Sequence, residues 1–369
     1  MSLRNTDARS ERAGGAVAVT GIGAVSGYGW GEKRLREGLY SGRSAVHPVP
    51  GFLPWAPRQA PWLARVEPEG ADTSVAGRDA RALRFAAREA LSDAQARGWQ
   101  PGENVGIVQA ADEPHHLWAE LSDELQLHGP GLSMTAGAAS AAVALLTAKV
   151  WIEAGVADDV LVVCSDLSLT PERLRCRDRL APIVETSVEG ACRPFQQGST
   201  GANPGEAVVA LMVSTLQGTP YARVLGGAMA NGRSGDDVDA AQLRRAFDRA
   251  LVAAGVSPGE VSYVNANGTG TPVGDAIEAA VVDELLGTVP GVYSLKPLLG
   301  DCGAAAGAVE LIGALYGFST GVVPAPARLG AGHPRLLDGP TAAVDGVVAK
   351  DSIGTSGECA VVLVGSPTA

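Results

Sequence analysis

The segment Val264-Asn265-Ala266-Asn267-Gly268-Thr269-Gly270-Thr271-Pro272-Val273-Gly274-Asp275 joins an apolar strand to an apolar helix through a glycine-rich turn. We predict the strand over residues 261–265 and the helix over residues 276–286. Gly268 and Gly270 allow the tight backbone geometry that such a turn needs. The segment is therefore a strand–turn–helix unit with polar residues at its centre.

A second informative stretch is Ser294-Leu295-Lys296-Pro297-Leu298-Leu299-Gly300-Asp301-Cys302-Gly303-Ala304-Ala305-Ala306-Gly307-Ala308-Val309-Glu310, which leads into a helix predicted over residues 304–318. Strands and helices alternate elsewhere too, which favours an α/β fold with mostly parallel sheets. Further strands are predicted over 17–26, 105–109, 160–164, 207–213 and 360–364, and further helices over 80–98, 140–155 and 240–254. Residues 48–76, with several prolines, are predicted to be an irregular surface excursion.

Composition excludes several classes of function. The chain has 369 residues, 46% hydrophobic and 19% charged, with a net charge of -11 and a mean hydropathy of +0.11. Such an acidic, well-buried protein is not expected to bind nucleic acid or an anionic membrane. The five cysteines form no C-x-x-C pair and no apolar run is long enough to span a bilayer, so we expect a cytoplasmic protein with reduced thiols. His115 and His116 are adjacent but more typical of a solvated loop than of a metal site, and we expect neither a metal nor a cofactor.

From residue 17 to residue 364 the order of these segments resembles the β-ketoacyl synthases, which are condensing enzymes of the thiolase fold. The Gly-Thr-Gly-Thr turn and the Lys296 to Glu310 stretch carry most of that resemblance. It implies two similar halves, each a sheet flanked by helices, that form a five-layered αβαβα sandwich. We place a disordered tail at residues 1–15 and the two halves at residues 16–217 and 218–369.

The catalytic positions of that family are altered in this chain. The nucleophilic cysteine of the family aligns with Ala138, or with Gly137 after a shift of one residue, and its two histidines align with Asn267 and Asp301. None of these side chains supplies a thiolate, although the amide of Asn267 can still donate a hydrogen bond. We therefore predict no catalytic residue in this chain.

Other positions of the family pattern are retained or changed without obvious chemistry. Lys296 and Glu310 are retained, and with the thiol absent we expect them to form a structural ion pair or hydrogen bond. An ion pair between Lys296 and Asp301 would neutralise the new carboxylate. Thr355 replaces the phenylalanine that gates the pocket, and Ile353 replaces the aromatic residue before it.

These features indicate the non-catalytic chain-length-factor subunit of a type II polyketide synthase, in an antibiotic-type pathway. The resemblance implies a heterodimer with an active ketosynthase, and an acyl carrier protein that presents its chain on phosphopantetheine. The aligned cysteine is usually glutamine in chain-length factors of aromatic systems, so Ala138 leaves aromatic and reduced products equally open.

Two alternatives from other classes remain open at this point. One is a repurposed enzyme for acyl transfer, cyclisation or hydrolysis that uses Asn267, Lys296, Asp301 or Cys302. The other is a homodimeric protein that binds acyl carrier proteins.

Overall fold

The structure, a computed structural model, describes residues 15–368 except 57, 59, 68–74, 113–116, 173–188, 233–237 and 288–289. The predicted tail, His115, His116 and Cys176 therefore lie outside the described residues, apart from residue 15. The described strands are β1 Val17–Ser26, β2 Gly29–Trp30, β3 His47–Pro48, β4 Trp62–Leu63, β5 Val105–Ala111, β6 Gly131–Met134, β7 Asp159–Asp166, β8 Ala207–Thr215, β9 Ala222–Asn231, β10 Val261–Asn265, β11 Gly291–Tyr293, β12 Val322–Val323, β13 Thr341–Ala342, β14 Val347–Ile353 and β15 Glu358–Gly365. The described α-helices are α1 Glu32–Ser41, α2 Val75–Ala96, α3 Leu117–Glu124, α4 Ser140–Glu153, α5 Ala240–Ala254, α6 Pro272–Leu286, α7 Lys296–Leu299 and α8 Ala306–Thr320.

Ten of the eleven described strands of the main sheet form two units of five with the same topology, and the eleventh, β2, pairs with β1. One unit has the order β6-β5-β7-β8-β1 and the other has the order β11-β10-β14-β15-β9. Numbered in chain order within each unit, both read 3-2-4-5-1. The units meet where β1 pairs antiparallel with β9 over two residue pairs. The predicted duplication of one sheet architecture is therefore present, while the boundary between residues 217 and 218 stays a prediction.

Helices form three layers around these two units. Helix α2 packs on β1 and β8, α4 and α8 contact each other between the units, and α5 packs on β9 and β15 from the far side. Helix α8 is buried along most of its length, as a helix between two sheets must be. The result is the αβαβα arrangement that the family resemblance implies.

Two glycines in β1 allow α2 to pack unusually close to the sheet. A Cβ atom on Gly21 would lie 2.2 Å from the carbonyl oxygen of Ala90, and one on Gly23 would lie 1.9 Å from that of Ala86. Any side chain at either position would clash with the helix backbone. The Gly-x-Gly of β1 is thus explained by helix packing.

The structure differs from the sequence predictions in several features. The main sheet is mixed and not mostly parallel, because β8 and β15 each pair antiparallel with both of their neighbours. Strands β9 and β14 were not predicted. The excursion predicted at 48–76 is partly internal, because Leu63, Ala64 and Val66 are fully buried. The helix predicted to start at residue 276 begins at Pro272, since proline fits the first turn of a helix. The connection after β5 contains an additional strand, β6, whose four residues are too few to show a clear alternation of apolar and polar side chains.

Candidate functional site

The helix that would carry the nucleophile starts at a tight turn. Residues Gly137–Ala139 form a 3₁₀ turn that leads into α4, and Gly137 has a φ of 51°. The Ser140 hydroxyl accepts a hydrogen bond from Ala136 N (2.8 Å) and donates one to Gly137 O (2.7 Å), so it stabilises the backbone of this turn. Ala138 thus sits at the N-terminal end of a buried helix and presents only a methyl group.

The second unit repeats this turn. Residues Gly303–Ala305 form a 3₁₀ turn with a φ of 51° at Gly303 and lead into α8. The two turns contact each other near the centre of the molecule. The Gly/Ala-rich segments at Gly137 and Gly303 therefore form a structural repeat.

The carboxylate of Glu358, a residue that was not predicted from the sequence, lies beside the start of α4. A Cβ atom on Gly354 would lie 2.5 Å from Glu358 Oε2 and 3.5 Å from Ala138 N, and one on Gly137 would lie 3.4 Å from the same Oε2. The two glycines therefore leave the space that this carboxylate fills. Glu358 Oε2 is buried and has no hydrogen-bond partner among the described residues. A negative charge thus already occupies the surroundings of the position where a thiolate would have to form.

This arrangement predicts how a thiol would behave at position 138. In Ala138→Cys the thiol gains from the helix N-terminus, but the Glu358 carboxylate disfavours its thiolate. Adding Glu358→Gln should lower the thiol pKa by about one unit and raise its alkylation rate several-fold at neutral pH. Iodoacetamide kinetics against pH measure both quantities. An identical rate in Ala138→Cys and in the double variant would show that the carboxylate does not act on this position.

The two positions that align with the family histidines make different contacts. Asn267 N donates to Asp351 Oδ1 (3.2 Å), and Asn267 Oδ1 accepts from Ile353 N (3.3 Å), which leaves the amide N–H groups as donors. Asp301 Oδ1 accepts from Gly303 N (3.3 Å), while its own backbone N–H donates to Asn203 O (2.7 Å). Asp301 therefore supports the turn before α8 and offers an acceptor where the family has a donor.

Lys296 pairs with Glu310 and does not pair with Asp301. Its Nζ lies 2.7 Å from Glu310 Oε1, and no contact below 4 Å with Asp301 exists among the described atoms, so the suggested Lys296–Asp301 pair is wrong. The physical reason is that Glu310 comes from the buried helix α8 and meets the ammonium directly. Burial lowers the pKa of Lys296, but Glu310 and then Asp301 outweigh it and hold that pKa above its usual range.

A second lysine, which the sequence analysis also missed, completes this buried cluster. Lys350 Nζ lies 2.9 Å from Glu310 Oε2 and donates to the Asp351 carbonyl oxygen. Lys296 and Glu310 are each 1% exposed and Lys350 is 2% exposed. One carboxylate therefore contacts two ammonium groups that are removed from water, and Asp301 adds a more distant negative charge near Lys296.

The glycine-rich turn after β10 is held by two buried acids of α6. Glu278 accepts from Gly268 N (3.0 Å), while Asp275 accepts from Gly270 N (3.0 Å) and from Phe195 N (2.8 Å). Burial raises the pKa of Asp275 to about 6 in spite of these hydrogen bonds. The turn is thus fixed by carboxyl groups and needs no catalytic partner to keep its shape.

Glu278 also faces the carboxyl group of Asp351. Both side chains are buried, and burial followed by the Asp351 charge raises the pKa of Glu278 well above its usual range. The pKa of Asp351 is raised as well, mainly by burial. Two carboxyl groups in such a place favour sharing one proton.

This shared proton predicts a pH-dependent gain from Asp351→Asn. A raised carboxyl pKa in the folded state contributes stability below the unfolded pKa of about 4.3, and this contribution is lost as pH rises through the folded pKa. In the variant, the asparagine amide donates a hydrogen bond to ionised Glu278, so the variant does not lose stability as the pH rises. The free energy of unfolding of the variant relative to the unaltered protein should therefore increase by about 1 kcal/mol between about pH 5.5 and pH 8.5. Urea unfolding at both pH values measures it, with Asp345→Asn on the surface as the control. An equal effect at both pH values would contradict the shared proton.

The remaining candidates have no reactive group in a productive position. Cys302 is buried, its thiol donates to Leu299 O (3.6 Å), and burial followed by Asp301 raises its pKa well above the usual range. A thiol that stays protonated is a poor nucleophile. Thr355 is exposed on the loop before β15, and Ile353 is half-buried against the core. Neither residue reproduces the aromatic gate.

Neither a metal-binding cluster nor a membrane-spanning helix is found among the described residues. No group of three His, Cys, Asp or Glu side chains within them is arranged to hold a metal ion. Every helix in the described ranges is too short or too polar to cross a bilayer.

Models of two β-ketoacyl synthase domains match this chain. The model of the β-ketoacyl synthase N-terminal domain matches residues 113–218, and that of the C-terminal domain matches residues 221–329. The chain is 27% identical to oxytetracycline polyketide β-ketoacyl synthase 1 of Streptomyces rimosus over 371 residues, which is 85% of this chain and 87% of the relative. It is 26% identical to a highly reducing polyketide synthase of Nectria sp over 346 residues, but spans 14% of that much longer protein.

Solved structures share the fold at lower sequence identity. The ishigamide ketosynthase/chain length factor superposes with a TM-score of 0.81 at 20% identity, over 95% of this chain and 99% of the other. A type II polyketide synthase acyl carrier protein in complex with its ketosynthase, bound to the hexaketide, gives a TM-score of 0.82 at 21% identity over the same shares. At these identities the structural likeness establishes the thiolase-like fold alone.

Proposed function

Because this chain belongs to the β-ketoacyl synthase family, we propose that it is the non-catalytic chain-length-factor subunit of a type II polyketide synthase. Its role is to bind an active ketosynthase and to help shape the space for the growing acyl chain. The observation that carries this proposal is the methyl group of Ala138 at the start of α4, with the Glu358 carboxylate beside it.

Decarboxylative condensation places two demands on such a site. It needs a thiolate to hold the acyl chain and hydrogen-bond donors for the enolate that forms on loss of carbon dioxide. Ala138 offers no nucleophile, and the carboxylates of Asp301 and Glu358 oppose negative charge in this region. The amide of Asn267 is the one donor left at the three altered positions. The missing nucleophile and the two carboxylates therefore disfavour condensation in this chain.

A free strand edge supports association with a partner subunit. β6 is the last strand of its unit and pairs in parallel with β5 on one side, with no described strand on the other. Leu132 in this strand is 37% exposed. An uncovered edge with an exposed apolar residue is a ready template for pairing with another chain. Two of the structural relatives are a ketosynthase/chain length factor and a ketosynthase with its acyl carrier protein, which agrees with partners of these kinds.

Co-expression tests this assignment. A chain-length factor should elute as a one-to-one complex with an active ketosynthase of the same pathway, and should self-associate when it is expressed alone. A soluble homodimer that ignores the ketosynthase but binds the carrier protein would favour the homodimeric alternative instead.

A further inference from the structure

A surface pocket lies at the end of β9, outside the site described above. It has a volume of about 170 Å³ and is lined by Met229, Ala230, Asn231, Arg245 and Arg249. This volume has room for on the order of ten water molecules, and therefore for a small organic group.

The two arginines of the pocket are not engaged in ion pairs. They stand one turn apart on α5, both are exposed, and within the described chain no acid lies within 4 Å of either guanidinium. Arg244, next to them in sequence, differs because it forms a two-contact ion pair with Glu284. Two unpaired cations at this spacing repel each other, so an anion between them would relieve that repulsion.

Local charge here opposes the charge of the whole protein. The chain carries a net charge of -11, so two arginines without an ion-pair partner among the described residues are not a by-product of a basic surface. Asp248, which lies between the arginines in sequence, is one of the groups that raise the pKa of Arg244. The two arginines therefore give the pocket a positively charged lining on an acidic protein.

We propose that this pocket binds a small organic phosphate ester. Guanidinium groups bind phosphate oxygens in a bidentate manner. A pair of them therefore binds a doubly charged phosphate better than it binds a singly charged carboxylate. The Asn231 amide can add a donor. Met229, which is 42% exposed, offers an apolar surface for the carbon chain of the ester. The proposal stands independently of the chain-length-factor assignment.

Calorimetric titration with butyl phosphate, inorganic phosphate and butyrate at low salt tests the proposal. Butyl phosphate should bind at least about tenfold more tightly than butyrate, and more tightly than inorganic phosphate, and added salt should weaken its binding. The variant Arg245→Ala with Arg249→Ala should lose at least about tenfold in affinity, whereas Arg244→Ala should bind like the unaltered protein. Circular dichroism checks that both variants are folded.

Either of two results would overturn the proposal. One is that butyl phosphate does not bind to the unaltered protein. The other is that binding survives unchanged in the folded double variant, which would place the anion elsewhere.

Discussion

Glu310→Gln is expected to lower the free energy of unfolding by about 3–5 kcal/mol, the largest effect of any single change considered for this chain. Glu310 is the carboxylate shared by Lys296 and Lys350, at 2.7 and 2.9 Å, in a place that water does not reach. Glutamine keeps the shape of the side chain but leaves two buried ammonium groups without the carboxylate that contacts both of them. Urea unfolding at neutral pH measures this difference in the free energy of unfolding. The dependence of that free energy on urea concentration should be equal for the variant and the unaltered protein.

A surface pair provides the matched control for that prediction. Lys33 and Glu37 stand at i and i+4 on α1 with their side chains 77% and 64% exposed and 3.9 Å apart. Glu37→Gln removes the same charge in water and should change the free energy of unfolding by less than about 1 kcal/mol. If both substitutions had equally small effects, the buried cluster would not be charged as described. Adding Lys350→Met to Glu310→Gln should recover part of the loss, because one of the two buried ammonium groups is then gone.

Leu132→Asp is expected to weaken binding of the ketosynthase partner about tenfold or more while the chain stays folded. The substitution places a charge on β6, which has a neighbour on one side only among the described strands, and desolvation of that charge on docking would be costly. Size-exclusion chromatography over a range of concentrations, or biolayer interferometry on the purified complex, measures the loss of affinity.

The control for the edge strand is an exposed apolar residue on a different surface of the chain. Val252 on α5 is 83% exposed, and Val252→Asp should leave partner binding unchanged. Partner binding that is insensitive to Leu132→Asp but lost in Val252→Asp would move the interface from β6 to the outer face of α5.

The fold could be expected because two glycine-rich stretches, in their order within alternating strands and helices, resemble those of the β-ketoacyl synthases. The same resemblance predicts Ala138, Asn267 and Asp301 as altered positions, and Lys296 with Glu310 as retained residues, which the structure brings together. Those residues are recognisable because motif spacing survives when the side chains change.

Glu358 and Lys350 were missed for a different reason. Each lies in a strand near the end of the chain, and the sequence alone does not show which face of the strand a charged residue occupies. Glu358 is 220 positions away from Ala138 in sequence (358 minus 138), and the two come together because α4 starts beside the loop that precedes β15. Glu358 is the one charged residue of β15, whereas Lys350 is followed directly by Asp351 in β14. The contacts of both residues could be found only from the packing of the two units.

The most direct test of the central claim is product analysis with the co-purified complex and a malonyl-loaded acyl carrier protein. The account predicts that the complex elongates chains, that turnover is lost when the ketosynthase partner's nucleophilic cysteine is replaced by alanine, and that Asp301→Ala and Cys302→Ala in this chain leave turnover intact. The account is contradicted if this chain turns over acyl thioesters by itself, or if those two substitutions abolish turnover while the complex remains assembled.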